Sequence, residues 1–293
     1  MARFSHFLAI DWSGAKGERH KGIALALAKG SGGSPALLKP RQPWSRERVL
    51  DFLLNELPED TLVGMDLGIS LPHADYGAFF PDWDLSPPHA KALWRLIDKI
   101  CGEDPNLEAS GFVRHEIAGR YYRHGKDLEG DRFHLPAAAT REGRFRVTEE
   151  AQRQAGCRPV SNFNLVGAAQ VGKSSLTGMR MLHKIGGQIP VWPIDPLPDA
   201  GSAIVEIYTS LAAREAGVAG GKSKMRTYAD LNKALESLGS EAVRGRGAID
   251  DHSSDALLTA AWLRKVADEP ARWRPTALTP EIAQTEGWTF GAI

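Results

Sequence analysis

The stretch FLAIDWSGAKGERHKGIALALAK (7–29) decides the fold. FLAIDW (7–12) is a short apolar run that reads as a buried strand. Ser13-Gly14-Ala15-Lys16-Gly17 reads as a turn, and GIALALAK (22–29) as a second apolar strand. The glycine-rich segment 30–35 is a loop, and ALLKP (36–40) a short third strand. Connections this short join antiparallel neighbours, because parallel strands need a long crossover.

Downstream, Ser45 is placed to cap a helix whose apolar positions Val49, Leu50, Leu53, Leu54 and Leu57 recur at helical spacing until Pro58. TLVGMDLGISLP (61–72) is a further buried strand. The intervening helix is the crossover that sets it parallel to the first strand. The chain therefore opens β-β-β-α-β, the start of an α/β fold.

Residues 73–200 are less regular, with a helix predicted at 89–101. Segment 114–158 holds ten Lys/Arg against seven Asp/Glu. It reads either as a solvated face or as a polyanion-binding lobe. AIVEIYTSLAA (203–213) returns to strand character, with an end that can turn helical. Helices are predicted at 227–239 and 250–267, the latter with the apolar stripe Ala256, Leu257, Ala260, Ala261 and Leu263. The tail after Pro270 is expected to wrap the surface.

The 293 residues suffice for one large domain or two small ones, and the 42% hydrophobic and 25% charged content is ordinary for a globular protein. A formal net charge of zero argues against a protein that coats nucleic acid, though not against an enzyme with one basic groove. Two distant cysteines, Cys101 and Cys157, make neither a disulfide framework nor a zinc site, and suggest reduced thiols in the cytoplasm. The N-terminal apolar run, broken by Asp11, is too short for a signal peptide or membrane helix, and no later run reaches membrane-spanning length.

Several acids stand where local packing gives little reason for one. Asp11 lies in FLAIDW, Asp66 in VGMDLGI and Glu206 in AIVEIY, while Asp251 and Asp255 share one face of the last long helix. A carboxylate buried without a partner costs several kcal/mol. Each acid also has a local explanation: turns for Asp11 and Asp66, a salt bridge for Glu206, and first-turn or cap acids for Asp251 and Asp255. Taken together they are what a site for hard divalent ions needs, with oxygen ligands converging from several elements at strand ends.

The stretches AIDWSGA (9–15), GMDLGISLP (64–72), GAAQVGKSSLTGM (167–179), VEIYTSLAAREAG (205–217) and DDHSSDALLTAAW (250–262) resemble the domain-of-unknown-function family 429, regarded as predicted nucleases of the RNase H-like superfamily. Thr209 departs from that family, which often has proline there. The resemblance implies a mixed sheet in order 3-2-1-4-5 flanked by helices, in a single domain over 1–293. Its core would be 1–72 and 201–268, with an insertion at 73–200 and a tail at 269–293. It also implies nuclease chemistry dependent on Mg²⁺ or Mn²⁺, carried by Asp11, Asp66, Asp251 and Asp255, with Glu206 as a further site residue. Nucleic acid, DNA or RNA, would be the substrate.

GAAQVGKS (167–174) also satisfies the phosphate-loop pattern G-x-x-x-x-G-K-[ST]. That reading requires a buried strand before the loop and a helix after it. NFNLV (162–166) is a poor strand. The alternatives are a true nucleotide site, a loop offering Gln170, Lys173 and Ser174 to a substrate phosphate, or a structural turn. His252, beside Asp251, can assist a metal or a proton transfer, or simply face solvent. No nucleophile elbow or catalytic-cysteine signature is present. The expectation is a metal-dependent phosphodiesterase acting on nucleic acid. An ATP-binding protein and a non-catalytic RNase H-like binding protein are the alternatives.

Overall fold

In the computed structural model, residues 3–136, 142–167, 170–218 and 225–293 are described. The chain opens with β1 (His6–Asp11), β2 (Ala24–Lys29) and β3 (Gly32–Leu37). As expected, β1 pairs antiparallel with β2, and β2 with β3. The third strand begins earlier than its apolar residues suggest, since Lys29 pairs with Gly32 across a two-residue turn. Pro35 is tolerated in β3 because the strand lies at a sheet edge.

Helix α1 (Arg46–Asn55) is capped by the Ser45 side chain, which accepts from the Arg48 N–H. It leads to β4 (Thr61–Asp66), which runs parallel to β1. Next come α2 (Ala90–Ile100), α3 (Ser110–Arg114), the two-stranded hairpin β5 (Arg123–Gly125) and β6 (Leu128–Glu129), α4 (Val147–Gln154), and α5 (Val171–Ile185). Then follow β7 (Val191–Trp192), β8 (Ala203–Glu206), α6 (Thr209–Glu215), α7 (Tyr228–Ser237), α8 (Asp251–Val266), α9 (Pro270–Trp273) and α10 (Pro280–Thr285).

Among the described residues six strands form one mixed sheet, ordered β3-β2-β1-β4-β8-β7. The implied order 3-2-1-4-5 is corrected by β7, a parallel edge strand that comes from the region read as an insertion. With two residues it is too short to show a period in sequence. Segment 203–213 is a strand only to Glu206 and then turns into α6.

Side-chain alternation along the strands splits the core in two. Leu8, Ile10, Val63, Met65 and Ile204 face α1, α2 and α5. Phe7, Ala9, Leu62 and Val205 face α6, α7 and α8. Residues 73–200 thus supply part of one covering layer as well as an edge strand. The tail is also corrected: it does not merely wrap the surface. Trp288, Phe290 and Ala292 are buried, and the Phe290 N–H donates to the Glu206 carbonyl. Among the described residues no helix is long and apolar enough to cross a membrane.

Candidate active site at the carboxyl ends of the strands

β1 and β4 end in acids, and the parallel register places Asp11 directly beside Asp66. Both side chains emerge on the α8 face, because Ile10 and Met65 point to the other. The α8 N-terminus is set by Asp250, whose side chain accepts from the Ser253 N–H. That cap puts Asp251 and Asp255 one turn apart on the start of the helix. A cavity of about 450 Å³ opens here and is lined by Asp11, Asp66, Asp251, Asp255, His252 and Glu206, among others. The structure therefore brings all five sequence-predicted acids to one cavity. It is of ordinary ligand-site size and lies where open α/β sheets bind ligands.

The electrostatics of this cavity are unfavourable to a full set of charges. Burial, reinforced by the nearby Asp11, Asp255 and Glu206 carboxylates, pushes the Asp66 carboxyl well above its ordinary range. A hydrogen bond from the Thr209 N–H opposes that shift. The Asp11 carboxylate also accepts from His252 Nδ1 at 3.2 Å. This contact outweighs burial and raises the His252 pKa.

Glu206 stands apart from the aspartates. It pairs with Met65, one position before Asp66, so its side chain leaves on the opposite face of the sheet. Both of its oxygens are bound to protein. Oε1 accepts from Arg146 Nη2 and Thr289 Oγ1, both at 2.5 Å. Oε2 accepts from Arg146 Nη1 and the Ile69 N–H, both at 2.8 Å. Arg146, fully buried, also holds Glu149 and the Glu286 carbonyl. Burial pushes the Glu149 carboxyl up to about 7 against the pull of Arg146. Arg146 and Glu149 line the cavity as a closed ion network, which sequence reading missed. Their i, i+3 spacing at the start of α4 is the signal they offered.

The glycine-rich loop 167–174 leads into α5, with Gln170 at the cap position. Ala168 and Ala169 lie outside the described residues. Before the loop, Asn164 forms an isolated β-bridge to Arg123, and among the described residues no strand of the main sheet delivers the loop as a nucleotide-binding phosphate loop requires. The start of α5 instead packs on the turn after β1. A Cβ built on Gly14 would lie 2.3 Å from the Lys173 carbonyl carbon. This close approach places Gln170 and Ser174 in the cavity lining. Lys173 is not among the lining residues, and its Nζ donates to Gln170 Oε1 at 3.1 Å.

Two further clamps fix the site. Arg46, fully buried, donates to the Ser13, Ala15 and Asn106 carbonyls and so holds the turn after Asp11. The Gly68 N–H donates to Ser175 Oγ, which donates to Asn162 Oδ1 and ties the turn after β4 to α5. Six described arginines of the 114–158 segment are engaged in ion pairs rather than presented as a free lobe. Arg120, Arg123, Arg132, Arg144, Arg146 and Arg153 all pair with carboxylates. Residues 137–141 of that segment lie outside the described residues.

The carboxylate oxygens are the donors that hard divalent ions prefer. Among the described residues no three His, Cys, Asp or Glu side chains already form a group that could hold a metal ion, so binding one would require the aspartates to converge. No family model, no curated protein and no solved structure matches the chain.

Proposed function

We propose that the cavity is the active site of a phosphodiesterase acting on nucleic acid with the help of Mg²⁺ or Mn²⁺. Asp11, Asp66 and Asp255 would hold the ion and Asp251 would assist. The observation that carries this reading is the placement of Asp11 beside Asp66 at adjacent strand ends, with the Asp66 carboxyl raised by burial and further by its acidic neighbours. Mutually repelling carboxylates at the mouth of a concave site are poorly stabilised alone and well stabilised by a divalent cation.

When bound, such an ion supplies charge neutralisation and polarisation at the phosphoryl group. The chain's own residues do the remaining work. Asp11 orients the His252 ring through Nδ1 and raises its pKa, which favours the protonated ring beside the acids. In hydrolysis a bond forms between water oxygen and phosphorus, and the ester P–O bond breaks. The attacking water must lose a proton, which a carboxylate of the cavity would accept, and the leaving oxygen must gain one, which His252 would give. Glu206 and Arg146 form the rigid wall of the cavity, while Gln170 and Ser174 face it from the start of α5.

The test is thermal unfolding of the wild type and Asp11→Asn in EDTA, in millimolar Mg²⁺ or Mn²⁺ and in Mg-ATP, followed by oligonucleotide cleavage assays. A ligand at 100 times its Kd stabilises by about 2.7 kcal/mol. The expected result is a metal-induced shift and metal-dependent cleavage in the wild type, both lost in the variant. Full cleavage by Asp11→Asn would refute the proposal. A Mg-ATP shift beyond that of metal alone, removed by Lys173→Ala, would support the nucleotide-binding alternative instead.

A further inference from the structure

A second cavity, of about 650 Å³, shares His252 with the acidic cavity and, among the described residues, no other lining residue. His252 lines both cavities, and its side chain is 47% exposed. One wall is the segment that leads into β2, with His20 and Lys21, and the other is the segment between β3 and α1, residues 38–44. The two walls are tied together by the His20 N–H, which donates to the Trp44 carbonyl at 2.9 Å.

The chemistry of this groove is opposite to that of the acidic cavity. Lys21, Lys39 and Arg41 are exposed cations along it. The acid lining it, Asp250, already caps α8. His20 is 4% exposed, and its buried Nε2 has no hydrogen-bond partner. Leu38, Pro40 and Pro43 add apolar faces between the charges. Exposed cations along a groove suit a chain of phosphates, and the apolar faces between them can contact bases that are not paired. In a duplex the base faces are stacked on one another and out of reach of the wall.

We infer that this groove holds the single-stranded nucleic acid flanking the scissile phosphate, with Lys21, Lys39 and Arg41 on its backbone and His252 at the junction with the acidic site. The inference rests on the proposed function, because it takes the occupant of the second cavity to be continuous with that of the first. It makes the substrate a polymer strand rather than a free nucleotide.

The experiment compares the wild type with the triple variant Lys21→Glu/Lys39→Glu/Arg41→Glu, both also carrying Asp66→Asn so that the probes stay intact. Fluorescence anisotropy follows binding of labelled single-stranded DNA and RNA 12-mers and of a 12-base-pair duplex across a salt series. The expected result is single-strand binding at least tenfold weaker in the triple variant. Its salt slope should be smaller by about 2, the value for losing three phosphate contacts on a single strand. Lys21→Ala alone should give an intermediate loss, which guards against misfolding of the triple variant. Equal binding by the two proteins, no single-strand binding by either, or a duplex bound more tightly through the same cations would overturn the inference. Metal-induced thermal shifts of the same substitutions without Asp66→Asn read the acidic site separately. Groove-dependent binding without any wild-type metal shift would sink the proposed function and leave the groove standing. A metal shift with groove-independent binding would do the reverse.

Discussion

Arg146 clasps Glu206 with two parallel hydrogen bonds of 2.5 and 2.8 Å in the interior of the protein. Removing one partner of such a pair leaves a buried charge uncompensated and costs about 3–5 kcal/mol. Glu206→Gln keeps the shape but leaves Glu149 as the carboxylate paired with Arg146. It is expected to lower stability by less than that amount in denaturant unfolding, because Glu149 still compensates the guanidinium, while the folded fraction still shows the metal-induced shift. Wild-type stability in Glu206→Gln would show that the pair contributes little, and complete loss of the metal response at full stability would make Glu206 a ligand.

Asp66 should behave in the opposite way. Its folded carboxyl is raised above the ordinary carboxylate range, so the folded state binds more protons than the unfolded chain in the window between the two values. The slope of stability against pH is then negative. The metal-free protein should lose stability as pH rises from about 4 through the folded value of Asp66. Asp66→Asn removes this term and is expected to raise Tm in EDTA at neutral pH by roughly 2–4 °C, the shift that about 1 kcal/mol gives in a domain of comparable size. The same variant should gain nothing from Mn²⁺. A lower Tm in EDTA, with an unchanged pH slope, would contradict the electrostatic account.

What the sequence shows of this fold and site follows the physics of each element. The helix over 250–267 is legible because Asp250 caps it and its apolar residues repeat at helical spacing. Asp11 and Asp66 are legible because an acid that ends an apolar strand has few structural uses. Glu206 carries the same local signature in AIVE, yet lies on the other face. The distinction is a one-residue offset in pairing, Met65 with Glu206, and register is a tertiary property. The burial of Trp288 and Phe290 is equally silent, since they fill space beside β8 without a period of their own. The net positive count in 114–158 misleads for a related reason: charge is counted along the chain, whereas ion pairs such as Arg144 with Asp75 form across the fold.

The contact between the turn after β1 and the start of α5 offers the sharpest steric test. A Cβ on Gly14 would stand 2.3 Å from the Lys173 carbonyl carbon and 2.4 Å from the Ser174 nitrogen, and backbone atoms of a helix cannot step aside as a side-chain end can. Gly14→Ala must therefore push the helix start away from the turn that follows Asp11. Overpacking of this kind costs about 1–3 kcal/mol. The displaced groups include Gln170 and Ser174 in the cavity lining. The variant is expected to unfold at lower temperature and, below that temperature, to cleave oligonucleotides more slowly with a similar metal requirement. Gly17→Ala is the control for the turn itself, because Gly17 has φ +111° and open space around it. It should cost stability through backbone strain without moving α5. If Gly14→Ala matched the wild type in both Tm and rate, the turn and the helix would not be in the close contact that sets Gln170 and Ser174 beside the acids.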